Sequence, residues 1–215
     1  MAIFALPASA VAQSDARLYI GGLFGVSTLS ADGHSDVATS DAAISLYKPE
    51  NGIAINLFGG VHVAEYFTVQ ANWMWNRNDI ALVSAAVAPG AGTFYEQRRH
   101  SRQHAAVLDG LVYFRRRDSR VRPYLGTGLS VLHFSSRDVV SVVVGGLDPP
   151  AGEIASWRIG LRSHVGIDVR LTPQLNFRYS FSETISTNPI SPSLTPPAQR
   201  GLANFQNLFG LLYRI

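Results

Sequence analysis

The sequence predicts an all-β protein, an eight-stranded antiparallel up-and-down transmembrane β-barrel with long outer loops and short periplasmic turns. Three observations carry that prediction. Apolar and polar residues alternate over runs of about ten, well past the 5–6 residues usual for a strand. The connections between these runs alternate long and short. No run of about 18 apolar residues could form a membrane helix. A chain that crosses lipid without such a helix must close its strands into a ring, because hydrocarbon offers no partner to an unpaired backbone group.

The clearest run is Trp157 to Phe181. Trp157, Ile159, Leu161, Val165, Ile167, Val169 and Leu171 fall on one face, with Arg158, Arg162, His164, Asp168 and Arg170 on the other. Thr172-Pro173-Gln174 turns the chain, and Leu175, Phe177, Tyr179 and Phe181 resume the apolar face opposite Asn176, Arg178, Ser180 and Ser182. Side chains on a strand alternate faces, so a lipid-facing wall and a polar lumen follow.

Composition sets bounds. The 215 residues suffice for one domain, and with 47% hydrophobic and 15% charged residues they fit a chain with a lipid-facing surface. Cysteine is absent, which removes a disulfide framework, cysteine metal sites and cysteine nucleophiles. The net charge of +3 is mild, and arginine dominates lysine, favouring fixed bidentate pairs. Residues 1–12 read as a residual signal peptide or N-terminal segment, apolar and ending at Ala10-Val11-Ala12 without a basic start; a disordered or plug-like segment is the alternative. Residues 13–215 read as a single barrel domain.

In chain order, strand one runs from Arg17 to Thr28 with Leu18, Ile20, Phe24 and Val26 outward. Ala31 to Asn51 is a polar loop. Strand two carries Ile53, Ile55, Leu57, Val61 and Val63 outward, and a tight turn at Ala64-Glu65-Tyr66 leads to strand three, with Phe67, Val69, Ala71, Trp73 and Trp75 outward. Asn78 to Arg102 reads as a second loop. Strand four follows with Leu108, Val112 and Phe114 outward and Asp109, Leu111, Tyr113 and Arg115 inward, and a charged turn, Arg116 to Val121, reaches strand five, Pro123 to Ser135. Loop three, Arg137 to Ile154, holds the apolar run Val139 to Val144, explained if strands five and six extend past the membrane as a hairpin. Strands six and seven are those already described. Loop four, Ser186 to Gly201, contains Pro189, Pro192, Pro196 and Pro197, and strand eight runs from Ala203 to Ile215.

Long outer loops and short periplasmic turns then set the orientation, with both termini periplasmic. Aromatic residues agree with it. Trp73, Trp75 and Trp157 fall near the outer ends of their strands, Tyr66 and Tyr213 near the inner ends, as two interfacial girdles.

Three stretches, Arg122-Pro123-Tyr124-Leu125-Gly126-Thr127-Gly128-Leu129, Leu171-Thr172-Pro173-Gln174-Leu175 and Phe209-Gly210-Leu211-Leu212-Tyr213-Arg214-Ile215, resemble the small OmpA/OmpW/OmpX-like outer-membrane β-barrel family. The resemblance covers essentially the whole mature chain. It implies bacterial outer-membrane localisation and makes Phe209, Leu211, Tyr213 and Ile215 an assembly signal for the barrel-assembly machinery; family members often end in phenylalanine, and Ile215 departs from that. The resemblance is to the barrel, so the peptidoglycan-anchoring function of OmpA-type members is not among its expectations.

An eight-stranded barrel is just wide enough to be filled by its own side chains. Arg17, Asp109, Arg115, Arg158, Arg162, His164, Asp168, Arg170, Arg178 and Glu183 are therefore expected to form an ion-pair network in the lumen, with Arg214 at its edge. His164 and Asp168 with Ser180 or Ser182 permit a serine–histidine–aspartate reading, but a filled interior disfavours it, and no catalytic residue is assigned. Lone histidines (His62, His164, His100 and His104) do not make a metal site, and no metal or cofactor is expected. Arg98, Arg99 and Arg102, with His100, sit where lipopolysaccharide phosphates would lie, and arginine forks suit phosphate; a solvated basic loop is the competing reading. Arg115-Arg116-Arg117 at the opposite end can meet anionic phospholipid. Basic residues divided between both ends do not form a nucleic-acid surface.

The expectation is a non-enzymatic outer-membrane protein with a structural or surface-interaction role through its extracellular loops. Its partners are outer-membrane lipid, with lipopolysaccharide as a candidate; the sequence names no protein partner. The alternatives are a narrow channel or carrier for small solutes and a soluble lipocalin-like ligand binder, in which the facing would be reversed.

Overall fold

The computed structural model describes residues 18–30, 33–35, 43–49, 51–86, 94–144, 153–190 and 201–215. Its strands are β1 (Leu18–Ser30), β2 (Gly33–Ser35), β3 (Ala43–Pro49), β4 (Asn51–His62), β5 (Phe67–Ala86), β6 (Phe94–Tyr113), β7 (Val121–Val144), β8 (Ile154–Arg170), β9 (Leu175–Thr187) and β10 (Gly201–Arg214). β1 pairs with both β4 and β10, and β5 pairs with β6, so eight of them close into an antiparallel ring without an edge. A closed ring satisfies every backbone group that lipid would leave bare. The expected signal segment, residues 1–12, lies outside the described residues.

The period of two decides what faces where. Phe67, Trp73, Leu129, Trp157 and Ile159 are exposed on the outer wall, whereas Asp109, Arg162 and Arg178 are each 1% exposed inside. A soluble ligand-binding barrel needs the reverse, and that alternative is overturned. Glycines on the inner wall make space for large neighbours. Gly128 faces Asp109 on one side and Arg162 on the other, and a Cβ there would strike the Asp109 carboxylate and the Leu108 carbonyl. Gly126 likewise leaves room for the His164 ring.

Short turns close one end. Val63 and Ala64 donate to the Phe67 carbonyl, Ser119 to that of Arg116, and Leu171 and Thr172 to that of Leu175, at 2.9–3.1 Å. The other end is taller than the sequence reading expects. Asn78 to Arg102 is not simply a loop: β5 continues to Ala86 and β6 starts at Phe94, paired from Ala85↔Phe94 down to Phe67↔Val112. Within the expected first loop, β2 and β3 form a hairpin, and β3 pairs with the top of β5. The run Val139 to Val144 does extend strand five, but as part of β7 against β6, up to Phe94↔Val144; β8 starts only at Ile154, opposite Ser136. The expected pairing of strands five and six above the membrane is thereby corrected. Ile80 and Leu82 turn inward between outward Asp79, Ala81 and Val83. With both phases largely apolar or small, the alternation that marks a strand is masked in the sequence.

Candidate functional site

The interior fills in layers. Nearest the periplasmic end, Asp168 on β8 and Arg178 on β9 stand directly opposite each other. Arg178 Nε donates to Asp168 Oδ1 at 2.6 Å and Nη2 to Oδ2 at 2.7 Å, a bidentate fork. Its Nη1 donates to Gln70 Oε1 at 2.7 Å, which also accepts from the Tyr19 hydroxyl. Tyr113 completes the set by donating to Asp168 Oδ2 at 2.9 Å, and the guanidinium lies 4.9 Å from the centres of both the Phe58 and Tyr124 rings. Each charge is neutralised and hydrogen-bonded, the condition under which a buried pair survives.

A second pair lies one layer outward. Arg162 Nη1 donates to Asp109 Oδ2 at 2.6 Å across the bare backbone of Gly128, and Asn72 Nδ2 donates to the same oxygen at 2.9 Å. His164 Nε2 stands 3.4 Å from that oxygen, and its ring packs on Tyr124. Above it, Ser27, Asn76, Asn78, Gln103 and Asn204 are linked by amide and hydroxyl bonds of 2.7–3.3 Å. An apolar cluster closes the outer end: Leu29, Ile80, Leu82, Leu132, Phe134, Ile154, Ile190 and Leu202, drawn from five strands and the segment after β9.

Of the residues expected in the network, the structure therefore brings together Asp109, Arg162, His164, Asp168 and Arg178. Arg170 is at the periplasmic mouth, donating to the Arg117 and Ser119 carbonyls, and Arg158 caps the Trp157 carbonyl near the outer rim. Arg115 is exposed in a turn. Glu183 is a correction: it alternates with inward Ser182 and Thr184, so it lies on the outer wall opposite Ser163 and Phe205. Arg17 lies outside the described residues. Sequence reasoning missed Tyr19, Gln70, Asn72 and Arg122. The alternation already sets Tyr19, Gln70 and Asn72 on the polar face, where their lack of charge kept them out of the expected network, and extending strand five one residue back from Pro123 adds Arg122; it is buried with its guanidinium 3.8 Å from the Tyr113 ring centre. The serine–histidine–aspartate reading also fails on geometry, because Asp168 is committed to Arg178 and neither Ser180 nor Ser182 bonds His164.

At the periplasmic turns, the Arg117 backbone N–H donates to Glu65 Oε1 at 2.6 Å and its side chain to Oε2 at 3.3 Å. That N–H above all, then the guanidinium, holds the Glu65 carboxyl below the usual carboxylate range.

The outer wall carries the aromatic residues. Trp73, Trp157, Tyr66 and Tyr213 are exposed and Trp75 is half-buried, while Phe209, Leu211, Tyr213 and Ile215 also face out, all but Ile215 on β10. Trp75, His104, His133 and Trp157 form one row across β5 to β8. The basic run beyond that row splits. Arg98 and Arg102 face out, Arg98 beside Glu96 at 3.4 Å. Arg99 turns in and is bound to Asp138, Ser136 and Gln97, which removes it from lipopolysaccharide contact.

Over residues 1–207 the sequence matches the model of the outer membrane protein β-barrel domain family. No curated protein sequence matches the chain. Among solved structures, Neisserial surface protein A (NspA) is similar at 14% identity and a TM-score of 0.51, covering 92% of this chain and 97% of that one. Outer membrane protein OprG from Pseudomonas aeruginosa is similar at 13% identity and a TM-score of 0.55, covering 93% and 96%. At such identities the likeness is one of fold.

Proposed function

This chain belongs to the outer membrane protein β-barrel domain family and resides in the bacterial outer membrane, and from that premise we propose that it is a non-conducting, non-enzymatic barrel acting through its outer surface. The observation that carries this reading is the blocked lumen. Two buried ion-pair layers are followed outward by an apolar cluster that reaches across the barrel from β1, β5, β7, β8 and β10. A hydrated ion entering that cluster would lose its water with no polar replacement. With the interior committed to its own packing, the surfaces left for function are the outer loops and the tall strands β5, β6 and β7.

Planar-bilayer recording tests the proposal. Wild-type protein should show no steady conductance, while Phe134→Ser combined with Leu82→Ser should introduce a leak by wetting the cluster. A stable wild-type conductance that responds to solute would overturn the proposal and favour a narrow channel. The role of Phe209, Leu211, Tyr213 and Ile215 as an assembly signal belongs to the same reading, supported by their outward placement at the seam where β10 meets β1.

A further inference from the structure

Two arginines stand directly opposite each other on the outer wall. Arg77 of β5 and Arg102 of β6 are register partners, both exposed, two residues beyond the Trp75–His104 pair. Like charges directly opposed on one face of a sheet destabilise it unless something of opposite sign sits between them. Among the described residues, Arg102 has neither a carboxylate nor a hydrogen-bond partner. Arg77 is held in place from one side: His100 Nδ1–H donates to Asp79 Oδ1 at 2.7 Å, leaving Nε2 to accept from Arg77 Nη2 at 3.3 Å. On the other flank, Arg137 of β7 is the register partner of His100 and so lies diagonal to Arg102. A small cavity of about 140 Å³ lies there, lined by His100, Arg102, Ser135, Ser136, Arg137 and Glu153. Among the described residues, Asp79 beside His100 and Glu153 at the cavity supply two carboxylates to three guanidinium groups, which leaves one positive charge in excess.

Height identifies the occupant. Trp75, His104, His133 and Trp157 form the amphipathic row at the outer edge of the apolar band, with the His133 and Trp157 rings 4.8 Å apart. Two residues further along a strand is about 6–7 Å, which carries Arg77 and Arg102 into the layer of lipid headgroups. Phosphate oxygens accept the paired N–H groups of an arginine fork, and one phosphate can bridge two forks.

We propose that Arg77, Arg102 and Arg137 form a clamp for a phosphate group carried by an outer-leaflet glycolipid of the lipopolysaccharide type. This deepens the outer-surface reading above by naming a partner. Arg98, beside Glu96, and Arg99, turned inward, are outside the clamp.

The test uses the full-length chain refolded in phosphatidylcholine bicelles, reading the temperature at which the SDS-resistant compact band is lost. Phosphorylated lipopolysaccharide should raise that temperature, whereas the same glycolipid after enzymatic dephosphorylation should not. Arg77→Gln, Arg102→Gln and Arg137→Gln should each weaken the affinity read from the titration roughly tenfold, the scale of a lost charge-assisted hydrogen bond. Arg98→Gln should leave it unchanged, and Arg102→Lys, which keeps the charge without the fork, should fall between. An equal response to the dephosphorylated glycolipid, or equal losses for Arg98→Gln and Arg102→Gln, would overturn the clamp. Protection by millimolar inorganic phosphate alone would overturn the lipid as its source. These readouts do not involve conductance, so the clamp and the blocked lumen can fail separately.

Discussion

Asp168 shows how much one buried group can hold. Both its oxygens are taken by Arg178, and one also by Tyr113, all in a space that excludes bulk water. Removing its charge leaves Arg178 buried without a counter-ion, and breaking such a pair costs about 3–5 kcal/mol. Asp168→Asn should therefore lower the urea midpoint of the refolded barrel markedly, whereas replacing both members with Asn and Met should recover part of the loss. Equal midpoints for wild type and the single variant would show that the pair is solvated. Glu65 illustrates the opposite case, a carboxylate in an exposed turn. Because Arg117 holds its carboxyl below the unfolded value, its contribution is present above that value and disappears as pH falls through the folded one. Wild type should lose slightly more stability than Glu65→Gln between neutral and acidic pH, and parallel curves would argue against the contact.

At the scale of the strands, small residues on one strand make room for large ones on the next. Gly128 lets Arg162 reach Asp109 across β7. Overpacking of this kind costs about 1–3 kcal/mol, so Gly128→Ala should destabilise the barrel by at least that much in the same urea titration, since backbone as well as the Asp109 side chain stands in the way. Phe134, fully buried in the outer cluster, makes the converse prediction. Its truncation to alanine leaves a void and should cost about 3–5 kcal/mol; a loss below 1 kcal/mol would mean that the cluster is loosely packed. The bulge that shifts the β6–β7 register at Arg98/Arg99 falls beside Arg99, which bonds to Asp138 and Ser136.

The whole molecule behaves as one ring. With no edge strand among the eight, the backbone ladder cannot peel from one side, and detergent must disrupt several strand pairs together. Unboiled protein in SDS should migrate faster than boiled protein, and identical mobilities would contradict a closed barrel. The two ends of the ring differ: backbone bonds tie the short turns at one end, while at the other β5, β6 and β7 rise well above the wall formed by β8, β9, β10 and β1. Function is assigned to that taller end because the interior is already occupied.

The eight strands of the ring, the facing of nearly every side chain and the short turns were legible in the sequence, because alternation is a local property that each strand states for itself. Even Glu183, placed inward by its charge, is put right by counting from Ser182. Only the tertiary structure decided who meets whom. Asp109 pairs with Arg162 across Gly128, and Arg102 stands opposite Arg77 and diagonal to Arg137 on the outer face, while its sequence neighbour Arg99 turns inward. The apolar run after Ser135 continues β7 beside β6 and not beside β8. These are facts of register, set jointly by turn lengths, strand stagger and closure of the ring, and no single strand carries them.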